Sequence, residues 1–127
     1  MDKFTIRNLE IIQAQQEGGF PLIDVLDHTL TPMGSRQLRK WMILPLKERA
    51  AIEERLLIVD TFFKDNSLAT KITDSLKHIS DLERLISKVA VNRINPREML
   101  QLKRSLRSIL PIKEAMSQHP SPELQKL

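Results

Sequence analysis

What this chain lacks narrows its chemistry first. It has no cysteine, which excludes disulfides, thiol nucleophiles and cysteine-zinc sites and fits a reducing compartment. It has three glycines, Gly18, Gly19 and Gly34, and their spacing builds neither G-x-x-x-x-G-K-S/T nor G-x-G-x-x-G, so no phosphate-cradling loop exists. So few glycines, with no sustained Val/Ile/Thr alternation, also argue against a sheet protein. No apolar run approaches the ~20 residues of a membrane span. The opening MDKFTIRNLEIIQAQQ has acids and polar residues where a signal peptide needs an apolar stretch, and the expected location is cytoplasmic. Of the aromatic residues only Trp41 lies among basic ones, too few for a platform that stacks single-stranded bases.

What is present describes a globular chain. Hydrophobic residues make up 41% and charged residues 28% of 127 positions, enough for one domain or part of one. The net charge of +4 is uneven. Residues 1–46 carry five charges of each sign, 47–95 carry nine basic and eight acidic residues, and 96–127 carry six basic and three acidic. Such a surplus is compatible with DNA, but it is no dense basic stripe, and an ordinary solvated surface explains it.

Helical spacing runs through most of the chain, so the expected fold is all-α. Leu82, Leu85, Ile86, Val89 and Ala90 form one apolar face, with Ser80 and Glu83 as a capping box before it. Ile52, Leu56, Val59 and Phe63 form a second stripe. Leu68, Ile72, Leu76 and Ile79 form a third, capped by Asn66. In NPRE, Asn95 caps a fourth helix with Pro96 at its first position, and Met99, Leu102, Leu106 and Ile109 continue it to a kink or end at Pro111. Ser121–Pro122 starts another. PLIDVL is a short helix, and Thr31 caps the next with Pro32 at its first position. Gly34, Leu38, Trp41 and Met42 share a face of that helix, and Pro45 stops it. Residues 4–15 are ambiguous, for FTIRNLEII alternates well enough to be a short extended segment.

Candidate chemistry is thin. Asp24, Asp27 and His28 would share a helix face as a metal or general-base site, yet a metal wants three or four ligands and no second cluster supplies them. The simpler reading has Asp27 and Thr29 satisfying backbone groups in a turn, or Asp27 paired with an arginine. Ser35 and Ser80 have no histidine partner at a suggestive spacing, and His78 and His119 stand alone. Arg36, Arg39 and Lys40, and further on Lys103, Arg104 and Arg107, are candidate weak contacts to DNA phosphates. Amphipathic helices need such polar faces in any case. Trp41 reads as a core anchor.

The stretch from Gly19 to Leu46, GFPLIDVLDHTLTPMGSRQLRKWMILPL, resembles the motif opening the core domain of the MutS family of DNA mismatch repair proteins. That motif, L-L-x-x-L-D-x-T-x-T-P-M-G-x-R-x-L-x-x-W-x-x-x-P-L, is met at Leu22, Leu26, Asp27, Thr29, Thr31, Pro32, Met33, Gly34, Arg36, Leu38, Trp41, Pro45 and Leu46. RNLEI (Arg7 to Ile11), IEERLLIVDTF and ISDLERLISKVAVNRINPREMLQLKRSL are similar to neighbouring segments of the family, in order, with Lys88 where many members have arginine. The motif then reads as architecture: Thr31–Pro32 starts a helix, Gly34 admits a close neighbour and Trp41 anchors packing.

The resemblance implies an N-terminal segment, residues 1–19, leading into a helical core domain, residues 20–127, with 96–127 as the candidate start of a lever. It implies a non-catalytic piece of a longer protein that binds mismatched DNA as a homodimer and hydrolyses ATP. The phenylalanine-wedge reader, the clamp and the ATPase site with its ATP and magnesium would lie outside this chain, and its partners would be those domains. A competing expectation is a stand-alone basic helical DNA-binding module. Helix-turn-helix readers, however, use a short glycine-type turn, and ILPLKERA offers Pro45 instead.

Overall fold

A computed structural model describes residues 1–126. Among them lie eight helices: α1 Lys3–Asn8, α2 Leu22–Leu26, α3 Pro32–Ile43, α4 Arg49–Lys64, α5 Asn66–Leu76, α6 Leu82–Ala90, α7 Pro96–Gln118 and α8 Pro122–Gln125. The described residues form no strand. The all-α expectation therefore stands, and the extended reading of the N-terminus does not. Asp2 accepts the Thr5 N–H and caps α1, which takes in residues 4–8 of the alternating stretch, while residues 9–13 form turns and bends. No helix among the described residues is long and apolar enough to cross a membrane.

The chain forms two compact units, Met1–Lys47 and Glu48–Leu127. The first unit buries few apolar side chains: Ile11, Pro21 and Ile23 are the buried ones among the described residues. Its backbone is tied across a loop, where Leu22 and Ile23 N–H groups donate to the carbonyls of Glu10 and Ile11 at 2.9 and 3.0 Å. Glu10 takes a left-handed φ of 49°, an uncommon conformation for a residue with a Cβ. Its carboxylate accepts the Gln15 N–H at 2.9 Å.

The second unit has an apolar core. Leu68 and Ile72 of α5, Ala115 of α7 and Leu124 of α8 are buried together, with Ile58 and Phe62 of α4 packed against them. Within α4 the inward residues are thus Ile58 and Phe62, while the stripe expected to face inward is exposed, from 39% at Ile52 to 85% at Phe63. Asp65, one residue before the expected Asn66, caps α5 by accepting the Leu68 N–H at 2.9 Å. Similarly, Asp81 replaces Ser80 as the cap of α6. A carboxylate directly before each helix reaches the third amide, and the neighbour first chosen does not.

The start of α7 is as expected, with Asn95 and Glu98 satisfying each other's backbone N–H groups in a capping box and Pro96 at the first position. Pro111 does not end it: α7 runs on to Gln118. Pro122 opens α8 after Ser121, α2 occupies the expected PLIDVL segment, and α3 ends at Ile43, two residues before Pro45.

Candidate functional site

Between α2 and α3 the chain turns through Asp27-His28-Thr29-Leu30-Thr31, and its polar side chains hold the turn. α2 ends at Leu26, and Asp27 is its C-cap residue. The Asp27 Oδ1 accepts the Thr29 N–H at 3.1 Å and the Thr29 hydroxyl at 2.6 Å. Its Oδ2 accepts the Ser35 hydroxyl, one turn into α3. Four residues on from Asp27, Thr31 caps α3, its hydroxyl oxygen accepting the Gly34 N–H at 3.1 Å. One carboxylate thus ties the turn to the helix that follows it. Hydrogen bonds from Ser35 and then Thr29 hold the Asp27 carboxyl below the usual carboxylate range, with Arg39 adding a smaller favourable field.

Gly34 fits this closely packed turn for a steric reason. A Cβ added there would stand 3.2 Å from the Thr31 Oγ1 and 3.3 Å from the Thr29 Cβ. The close neighbour expected of Gly34 is therefore the turn itself. Trp41 departs from its expected role: it is 43% exposed, and α3 contributes no buried residue.

A second polar junction joins α6 to α7. Ser105 is fully buried on α7, and its Oγ accepts the Ser80 N–H at 3.0 Å. Gln101 donates to the Ser80 hydroxyl at 2.8 Å, and Lys88 of α6 pairs with Glu98 of α7. The Lys88 hydrogen bond, followed by the Asn95 N–H, lowers the Glu98 pKa. Ser80, expected to cap α6, instead ties the segment before α6 to α7. His119, expected to stand alone, has its Nε2 at 3.7 Å from the Asp65 Oδ2 while its Nδ1 accepts the Ser121 N–H at 3.1 Å.

The structure separates the other candidates. Asp24 lies in α2, whereas Asp27 and His28 follow it, so the shared helical face does not form. Among the described residues no three His, Asp or Glu side chains converge as a metal site would require. Arg36 and Lys40 are exposed and Arg39 half-buried on consecutive turns of α3. Lys103, Arg104 and Arg107 are exposed on α7. Ser35, Ser80 and Ser105, the donors and acceptors of the two junctions, were not legible as such. Small hydroxyls carry no periodic signal, and only the short Asp27-x-Thr29 spacing pointed to a local turn.

The comparisons with known proteins agree along the whole chain. The profile of MutS domain III matches residues 4–127. The protein from Cytophaga hutchinsonii named DNA mismatch repair protein MutS is 58% identical over 127 residues, all of this chain and 15% of that protein. Its namesake from Bacteroides fragilis is 48% identical over the same span, again 15% of its length. The one from Christiangramia forsetii is 51% identical over 114 residues, 90% of this chain and 13% of its own length. The chain spans about 15% of the length of the relatives matched over its full extent. With the profile covering residues 4–127 and relatives near half identity throughout, the chain belongs to the MutS domain III family.

Proposed function

We propose that this chain is a rigid, non-catalytic transmission segment of a longer MutS-type DNA mismatch repair protein. The observation that carries the reading is the use to which its family motif is put. Asp27, Thr29, Thr31 and Ser35 spend their polar atoms on one another and on the turn's own backbone. Groups committed in this way stiffen a joint between helices and leave no activated base or nucleophile. The Lys88–Glu98 and Ser80–Ser105 contacts stiffen a second joint. Two braced joints suit a part that passes displacement between sites elsewhere.

In this reading ATP and magnesium act in an ATPase domain outside the chain. Mismatched duplex is gripped by reader and clamp domains outside it, residues 96–127 begin a lever, and the working assembly is a cytoplasmic homodimer. DNA binding by the chain itself would come from exposed cations such as Arg36, Lys40 and Arg104 and would be weak. The test is a fluorescence-anisotropy titration of the chain into labelled mismatched and matched duplexes at low and physiological salt. The expected result is no mismatch preference and loss of any binding at physiological salt, as for simple phosphate contacts. A clear preference for the mismatch would overturn the assignment and make the chain a reader of DNA itself.

A further inference from the structure

The long helix α7 carries more apolar surface than its own unit uses. Its inward face runs through Leu102, Ser105, Ile109, Ile112, Ala115 and Met116, all buried or half-buried. A second row, Met99, Lys103, Leu106 and Leu110, advances by four, three and four residues, the spacing of a helix-packing seam. Met99, Leu106 and Leu110 are 46%, 49% and 59% exposed, and with Leu102, Lys103 and Arg107 they line one shallow, almost wholly apolar groove.

Charge separates the candidate occupants of this groove. From Met99 to Lys113 the chain has four basic residues, Lys103, Arg104, Arg107 and Lys113, and no acidic one. Glu98, the acid just before this stretch, is paired with Lys88. The groove therefore presents an apolar floor with Lys103 and Arg107 at its edge and no carboxylate among its lining residues, Glu114 standing a turn beyond Leu110. A phosphate backbone would match the cations but waste the leucines. A lipid surface would match both, yet it has no register for a four-three-four row. A helix with leucine-type side chains on one face and carboxylates beside them matches floor, edge and spacing together.

We propose that this groove on α7 docks an acidic amphipathic α-helix from outside the chain, its apolar side chains seated between Met99, Leu106 and Leu110 and its carboxylates against Lys103 and Arg107. The probe is a fluorescein-labelled three-heptad helical peptide with leucine at the a and d positions and glutamate on both flanks. A matched peptide carries lysine in place of every glutamate. At physiological salt the glutamate peptide should bind the chain about tenfold more tightly than the lysine peptide, a margin that a few exposed ion pairs supply. The double substitution Lys103→Glu/Arg107→Glu, both at exposed positions, should reverse that order. Leu106→Asp should abolish binding of either peptide while the far-ultraviolet dichroism stays unchanged. Equal affinity for the two peptides, or an order the double substitution fails to reverse, would overturn the proposal. So would tighter binding to anionic vesicles or duplex DNA, or self-association of the chain that Leu106→Asp dissolves.

Discussion

The two units of this chain are held in different ways. In residues 48–126 four helices contribute to one apolar cluster around Leu68, Ile72, Ala115 and Leu124, and the polar contacts are splices at its edge. In residues 1–47 the buried apolar side chains are Ile11, Pro21 and Ile23, and hydrogen bonds around Asp27 and Thr31 define the α2–α3 turn. The contrast teaches that a family motif need not mark a core. The most densely matched stretch, Leu22 to Leu46, encodes a hydrogen-bonded turn and a capped helix, with its tryptophan 43% exposed.

The largest test of the contrast is Leu124→Ala. The side chain is fully buried in the second unit's cluster, and its truncation should cost about 3 kcal/mol through lost transfer energy and a cavity. Amide exchange should rise in α5, α7 and α8. An equal rise in α2 and α3 would show that the two units do not answer separately.

Ser105→Ala asks how much the polar splice adds to that core. It removes the buried acceptor of the Ser80 N–H and should cost about 2 kcal/mol in a denaturant titration. A cost near zero would mean that Ser80 finds another partner and that the second unit rests on apolar packing alone.

In the first unit, Thr31→Ala deletes the cap of α3 and should cost about 1 kcal/mol, with faster exchange of the Gly34 amide. Replacement by serine, which keeps the hydroxyl, should restore most of the loss. A serine variant as unstable as the alanine one would count against the cap.

The smallest expected effect is a pH dependence. Asp27 is held below its ordinary pKa by the Ser35 and Thr29 hydrogen bonds. The stabilisation this represents is present above the unfolded carboxylate value and is lost as pH falls through the lower folded value. Asp27→Asn should therefore lower stability at neutral pH and flatten the acid limb of the melting-temperature profile, with the change localised by exchange to α2 and α3. Glu98→Gln should act likewise at the start of α7, because Glu98 is also lowered, by Lys88. Identical profiles for Asp27→Asn and the parent chain would remove Asp27 as a titrating brace.

Much of this organisation was legible from local rules. Asn95-Pro96 and Thr31-Pro32 marked helix starts correctly because a cap and a proline act within a single turn. The caps of α5 and α6 were each misplaced by one residue, since Asp65 and Asn66, like Ser80 and Asp81, are all competent and the choice depends on the backbone before the helix. Pro111 was expected to kink or end α7, and it does not end it, since the helix runs on to Gln118. The Asp27–Thr29 turn was readable as one of two simple alternatives, whereas its bond to Ser35 was not, because that residue lies eight positions away on another element.

By itself the amino-acid sequence determined the all-α class, the starts of α2, α3, α7 and α8, and the family, because each rests on interactions or patterns a few residues long. The stripe expected on α5 does turn inward, with Leu68, Ile72 and Ile79 buried, but only the tertiary structure decided which sides of α4 and α7 do. On α4 the expected stripe faces out, and on α7 the small residues Ser105 and Ala115 are buried while Leu106 is not. Periodicity registers how hydrophobic a face is, but close helix packing also selects for how small it is. The distance between two helices is set by their partners and is written in neither one alone.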